Sequence, residues 1–243
     1  MKIVTIFKWS RNPIDAIVRA DGSVDWPGVK LCANDDDPVV MEIARALADG
    51  GEIVALTIGD GDAAWAAARG ASRTVVVTDA LTEADNSVTG AVLTAAVRHI
   101  GDADVVIIGD SPWEFGVVSA LAGMLKWPAV AGVVSVEPGQ GCLLVRRRMG
   151  TLEQVLEVKG PVVLAAAANR AEENAPGMKE VLKARKLPVE KITVADLGLA
   201  AVAQACSRGT KFPDTPPARV IDGADPAAAC AELIAALRSD GVV

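Results

Sequence analysis

The 243-residue chain has no tyrosine, three phenylalanines, five tryptophans and a single histidine, His99. So few rings exclude the aromatic platforms on which single-stranded nucleic acids stack. Positive charge is also in deficit. Lys and Arg number 24 against 31 Asp and Glu, the net charge is −7 and the isoelectric point is near 4.8, so no nucleic-acid partner is expected. Cys32, Cys142, Cys206 and Cys230 stand 110, 64 and 24 residues apart, without a C-x-x-C pair or a nearby histidine. That spacing writes neither a zinc nor an iron–sulfur site, and four inert buried thiols are expected. No G-x-S-x-G and no acid/base pair at legible spacing is present, so no catalytic residue is assigned. His99, near the end of a helical stretch where a cation suits the dipole, reads as structural.

Long hydrophobic runs are missing as well. None reaches the roughly 18 residues of a membrane span, and the opening Met1–Phe7 stretch is too short and too β-branched for a signal peptide. A soluble, cytoplasmic protein without membrane insertion is expected.

What is present is alanine and valine in alternating blocks. β-branched runs at 3–7, 52–58, 74–78 and 105–108 predict strands, and Ala-rich patterns at 37–48, 62–69, 87–100 and 115–126 predict helices. Continuous apolar strands separated by helices define a doubly wound α/β fold with a mainly parallel sheet. Residues 18–24 read as an Asp-Gly hairpin. The first helix opens behind Asn34-Asp35-Asp36-Asp37-Pro38, with cap residues followed by a first-turn proline. After Trp127-Pro128, runs at 133–136, 143–147, 155–158 and 162–166 are joined by short connections such as Pro138-Gly139-Gln140-Gly141, which predicts an added antiparallel segment. Past residue 170 the chain is charged and Gly/Pro-punctuated. Residues 191–199 lead into a short segment, 207–219 carry three prolines and read as an extended arm, and 226–238 form an amphipathic helix with Ala229, Leu233, Ile234 and Leu237 on one face. Residues 1–190 are thus expected to form the α/β domain and 191–243 an arm and helix. Such a tail either wraps a partner or lies on its own body.

Doubly wound sheets bind ligands beyond the carboxyl ends of their strands. The segments after Phe7, Ile58 and Ile108 are therefore the candidates, although none is a G-x-G-x-x-G or a Walker motif. Gly59 and Gly109 suit either close approach to a phosphate or a plain turn. Asp35, Asp36 and Asp37 are explained by capping and the helix dipole before any metal is invoked.

Several of these pieces resemble the beta subunit of electron transfer flavoproteins. Met1-Lys2-Ile3-Val4-Thr5-Ile6-Phe7-Lys8 is similar to that family's first strand, and Asn34 to Leu47 to its Asn-led, alanine-rich helix. Ala68-Arg69-Gly70-Ala71-Ser72-Arg73 is similar to its glycine-alanine turn. Asp104 to Gly109 and Leu125-Lys126-Trp127-Pro128 are similar to its fourth strand and the Trp-Pro that follows. Pro176 to Glu190 resembles its signature block, and Pro216-Pro217-Ala218-Arg219 with Gly223 the arm before its last helix. The branch resembled most is the one paired with acyl-CoA or carnitine-linked dehydrogenases.

The resemblance implies a Rossmann-like fold of the adenine-nucleotide-binding type and a non-catalytic subunit of a heterodimer. It also implies an alpha subunit holding the redox FAD, shared with this chain, a flavin dehydrogenase as electron source, and a place in an electron-bifurcating complex for some members. In that family the beta subunit also buries AMP or a second FAD. Carried over, the nucleotide would touch Ile6, Asn34, Asp35, Asp36, Asp37, Ile58, Gly59, Gly109, Ser111, Gly116 and Val117. The loop after Gly109 departs from the pattern. It reads Ser-Pro-Trp-Glu-Phe-Gly, about three residues short, with Glu114 where a phosphate needs donors, while Asp36 replaces an aromatic. An altered or empty nucleotide site is expected. The block around Met178 corresponds to a docking loop for the dehydrogenase, formed by Met178, Val181, Leu182, Lys183 and Arg185.

Two other functions fit the fold. A stand-alone adenine-nucleotide-binding sensor would be a homodimer and leaves the tail unexplained. An ATP-dependent ligase or pyrophosphatase needs a Gly-rich loop after the first strand, which Lys8-Trp9-Ser10-Arg11 does not supply.

Overall fold

The structure is a computed structural model that describes all residues except 60, 83, 112–114, 168–174, 200–204, 206–207, 215–217 and 243. The α-helices and the strands of the main sheet, in chain order, are β1 (Lys2–Ile6), α1 (Asp37–Ala48), β2 (Glu52–Ile58), α2 (Ala63–Ala68), β3 (Arg73–Val77), α3 (Asn86–Ile100), β4 (Val105–Gly109), α4 (Phe115–Leu125), β5 (Ala129–Pro138), β6 (Leu143–Met149), β7 (Leu152–Val158), β8 (Val162–Ala166), α5 (Met178–Ala184), β9 (Val189–Ile192) and α6 (Pro226–Ser239). Among the described residues nine strands join one sheet in the order β7-β6-β5-β8-β4-β1-β2-β3-β9. β1 pairs in parallel with both β2 and β4. The chain therefore moves outward from β1 in one direction through β2 and β3, then restarts on the other side at β4. That reversal is the topological switch point of a doubly wound sheet.

The period of two along each strand builds two cores. Ile3 and Phe7 of the β1 segment, with Ile53 and Ala55 of β2, face α1 and α2. Val4, Ile6, Val54 and Leu56 face α3 and α4. All of these side chains are buried, and a Val, Leu or Ile taken fully out of water contributes roughly 1.5–3 kcal/mol.

Helices α3 and α4 approach closely at Gly90, where an added Cβ would stand 2.6 Å from Ala120 Cβ. Gly90→Ala should gain about 1 kcal/mol in helix propensity and lose more, roughly 1–3 kcal/mol, to overpacking. A lowered urea midpoint at unchanged slope is expected. A raised midpoint would show that the two helices can part freely.

Three features differ from the sequence reading. The run 162–166 is not part of an antiparallel set: β8 is parallel to both β4 and β5. Its five residues are all buried, as a central strand covered on both faces requires. The short connections misled because β5 changes partner midway. It pairs with β8 at Ala129, Val130 and Val133, and with β6 from Val133 to Pro138. The change falls beside Gly132, whose φ of 69° and close approach to the Arg148 carbonyl suit glycine alone. The ladders of β6 with β5 and β7 are antiparallel, as expected.

The second difference is β9, a short strand pairing in parallel with β3 inside a stretch read as connection. Its Glu190 receives Arg73 at 2.8 Å and lies 2.9 Å from His99 Nε2, so the lone histidine ties α3 to the sheet's last strand. Helix α5 forms within the charged, punctuated stretch past residue 170.

The third concerns the cysteines. Cys32 and Cys230 are exposed and Cys142 is half-buried; Cys206 lies outside the described residues. Two of the thiols are nonetheless held in the neutral form. Desolvation, then the carboxylates of Asp35, Asp15 and Asp37, pushes the Cys32 thiol up, and desolvation with the bond to Glu157 does the same to Cys142. Both therefore stay thiols at neutral pH.

The chain divides into two units, Met1–Ile17 with Val24–Arg208, and Val18–Ser23 with Gly209–Val243. In the second unit the Gly22 N–H donates to the Arg19 carbonyl and the Arg19 N–H to Ser23 O, closing the Asp21-Gly22 turn. Asp225 caps α6 through the Ala227 and Ala228 N–H groups, and Pro226 fills its first turn. No residue of α6 is buried.

Candidate functional site

The carboxyl ends of β1, β2 and β4 meet the start of α1 and the first turns of α3 and α4 around a pocket at the switch point. Ile6, Asn34, Asp37, Ile58, Gly109, Ser111 and Val117 all line it. Phe7, Lys8 and Ile108, at the strand ends that the sequence reading singles out, line it too, and Thr89 and Leu93 of α3 join them without any sequence signal. The period of two carries Ile6 and Ile108 to one face of adjacent strands in register. Thr89 and Leu93 are four apart on α3, hence one above the other on the helix face that turns inward.

Asp37 organises the mouth. It is buried, and its carboxylate accepts the Asn34 N–H at 2.9 Å and the Lys8 N–H at 3.2 Å, fastening the chain before α1 to the chain leaving β1. The capping reading needs correction here. Asp36 occupies the N-cap position but makes no side-chain cap bond; instead it packs against β4, with its Cβ 2.9 Å from where a Cβ on Gly109 would stand. Gly109 is therefore required by the close approach of a buried acid.

The remaining predicted nucleotide residues go elsewhere. Asp35 is exposed, its N–H bonded to Asn34 Oδ1 at 3.0 Å. Gly116 lies against Asn86. Gly59 lines a second cleft, beyond β2 and β3. Trp113 and Glu114, on which the loop's departure turns, lie outside the described residues.

The scarce rings gather on the α1 and α2 face. Phe7 stacks on Trp65 at 5.2 Å, Trp9 meets Trp65 edge-on at 6.1 Å, and the Arg69 guanidinium lies 4.2 Å from the Trp65 ring.

The pocket's described walls do not fit AMP or a second FAD. Its cavity of about 30 Å³ holds about one water. The buried acid Asp37 lines it, the buried Asp36 packs against Gly109 of the same wall, and the backbone donors of Lys8 and Asn34 are already taken by Asp37. An anionic phosphate in that setting meets like charge in place of donors.

On α5, Met178 and Leu182 are 75% and 53% exposed and, four residues apart, share one stripe. Lys183 is exposed and Val181 half-buried. Arg185 follows the helix and lines the second cleft.

A mainly parallel, doubly wound sheet with a pocket at its switch point defines an α/β protein of Rossmann-like architecture. A family model described as the electron transfer flavoprotein domain matches residues 29–197, and the chain belongs to that family, on its beta-subunit side. It is 27% identical over 231 residues to the electron transfer flavoprotein subunit beta of Methylophilus methylotrophus, covering 86% of this chain and 87% of the relative. It is 26% identical over 203 residues to the subunit of the same name from Bradyrhizobium diazoefficiens, covering 77% and 79%. Among the described residues no helix is long and apolar enough to cross a membrane.

Proposed function

We propose that the chain is one half of a heterodimer that carries electrons between a flavin dehydrogenase of the acyl-CoA type and an acceptor, with FAD held mainly by an alpha subunit. The flavin supplies the redox chemistry when bound. This chain's part is to cover one side of the cofactor and to offer the dehydrogenase a docking surface. The observation that carries the reading, beyond family membership, is α6. It is a capped, regular helix with Leu233 and Ile234 about half exposed and no buried residue. A 14-residue helix gains little stability from propensity alone, so its apolar face is the surface that suits a partner subunit.

Docking of the dehydrogenase is assigned to Met178 and Leu182 on α5, with Lys183 beside them. A flexible thioether suits a surface that must adapt, and the neighbouring charge steers the encounter. Met178→Ala should slow electron transfer from the cognate dehydrogenase roughly tenfold at subsaturating carrier, in line with truncation of a docking anchor, and leave the thermal midpoint unchanged. Unaltered transfer kinetics would remove α5 from the docking surface.

A further inference from the structure

The second cleft belongs neither to the switch-point pocket nor to the exposed stripe of α5. It is lined by Gly59, Gly61 and Asp62 after β2, by Ala63 and Ala64 of α2, by Val76 and Thr78 from the β3 strand and its end, and by Ala184, Arg185, Leu187, Val189 and Lys191. Its volume is about 440 Å³, within the range of sites that hold small molecules.

The sheet explains the lining. β9 pairs in register with β3, Val189 opposite Thr74 and Lys191 opposite Val76. The period of two then places Val76, Thr78, Val189 and Lys191 on the face that α2 and α5 cover, and sends Glu190 to the other face, where Arg73 and His99 hold it. Lys191 is thereby separated from its neighbouring acid. Among the described residues neither Lys191 nor Arg185 has an ion-pair partner, in a chain of net charge −7. The one described acid of the cleft, Asp62, accepts the Ala64 N–H at 2.9 Å. Gly61 closes over the Thr57 side chain, so that stretch of wall is bare backbone.

We infer that this cleft is a binding site for a small organic phosphate. Arg185 and Lys191 receive the phosphate, and Ala63, Val76, Leu187 and Val189 hold the apolar body of the ligand. A concave cleft lined by a guanidinium and an ammonium gathers positive charge and supplies the donors that a phosphate accepts. Every residue invoked lies in the first structural unit.

The test uses the full chain and the photoprobe 8-azidoadenosine diphosphate, with cross-linked peptides mapped by mass spectrometry and inorganic pyrophosphate as competitor. Labelling of peptides covering 59–64 or 184–191, suppressed by pyrophosphate and by added salt, is the expected result. The double variant Arg185→Gln, Lys191→Gln should lose at least about tenfold in labelling while keeping the wild-type circular dichroism spectrum. If that variant fails to fold, the pyrophosphate and salt dependence of the wild type decides. Labelling confined to 108–117, labelling that pyrophosphate does not compete, or none at millimolar probe would each overturn the site.

Discussion

Asp37→Ala should be among the most destabilising single changes in the chain, costing about 3 kcal/mol. Asp37 is 3% exposed, and its carboxylate accepts two backbone N–H groups, from Asn34 and Lys8, that come from different segments. Removing it takes the acceptor from two part-buried backbone donors, and a polar group that loses its partner away from bulk water pays desolvation. It also removes a negative charge from the first turn of α1, where the helix dipole favours one. Asp37→Asn retains an acceptor oxygen and should cost less than half as much. Urea unfolding of the three proteins checks the order. An alanine variant within 1 kcal/mol of the parent, on the order of a single ordinary hydrogen bond, would mean that the two segments hold together without it.

That residue also shows how much of the site can be read in advance. Its place at the head of α1 follows from Asn-Asp-Asp-Asp-Pro, and the helix bounds at Asp37–Ala48 agree with the apolar period. Which of three consecutive acids turns inward does not follow. The sequence marks all three as capping residues, yet Asp36 packs on Gly109, Asp37 binds backbone, and Asp35 faces solvent. Only the long-range meeting of β1, β4 and α1 separates them.

The parallel strands that surround the switch point were legible because they are buried on both faces and read as unbroken β-branched runs. β8 was legible as a strand but not in direction, since direction depends on the turn of β5 at Gly132. β9 was missed because a four-residue strand at the end of a sheet, half exposed, carries little hydrophobic pattern. The second cleft could not be read at all. It needs Lys191 on one face of β9 and Glu190 on the other, and so depends on a strand that the pattern hid.

The second large effect is expected at α6. Introducing Leu233→Asp and Ile234→Asp together places two charges on a face that this chain leaves open. Stability of the isolated chain should change by no more than about 0.5 kcal/mol, as for surface substitutions. Affinity for the alpha subunit should fall at least about 100-fold, or roughly 3 kcal/mol, because an unpaired carboxylate buried in an apolar interface is costly. Sedimentation of the mixed subunits measures the second quantity, and thermal unfolding of the single chain the first. Wild-type affinity in the double variant would place the partner on another surface and leave α6 without a role.

In the proposed function this chain holds no redox group of its own and becomes a flavoprotein by association. Co-expression with an electron transfer flavoprotein alpha subunit from the same organism, followed by purification through a tag on this chain, tests that directly. A yellow heterodimer is expected, and denaturing it should release one FAD with no AMP or second flavin. A colourless, stable monomer in the presence of the alpha subunit would contradict the account, and a stoichiometric second nucleotide would contradict its reading of the switch-point pocket.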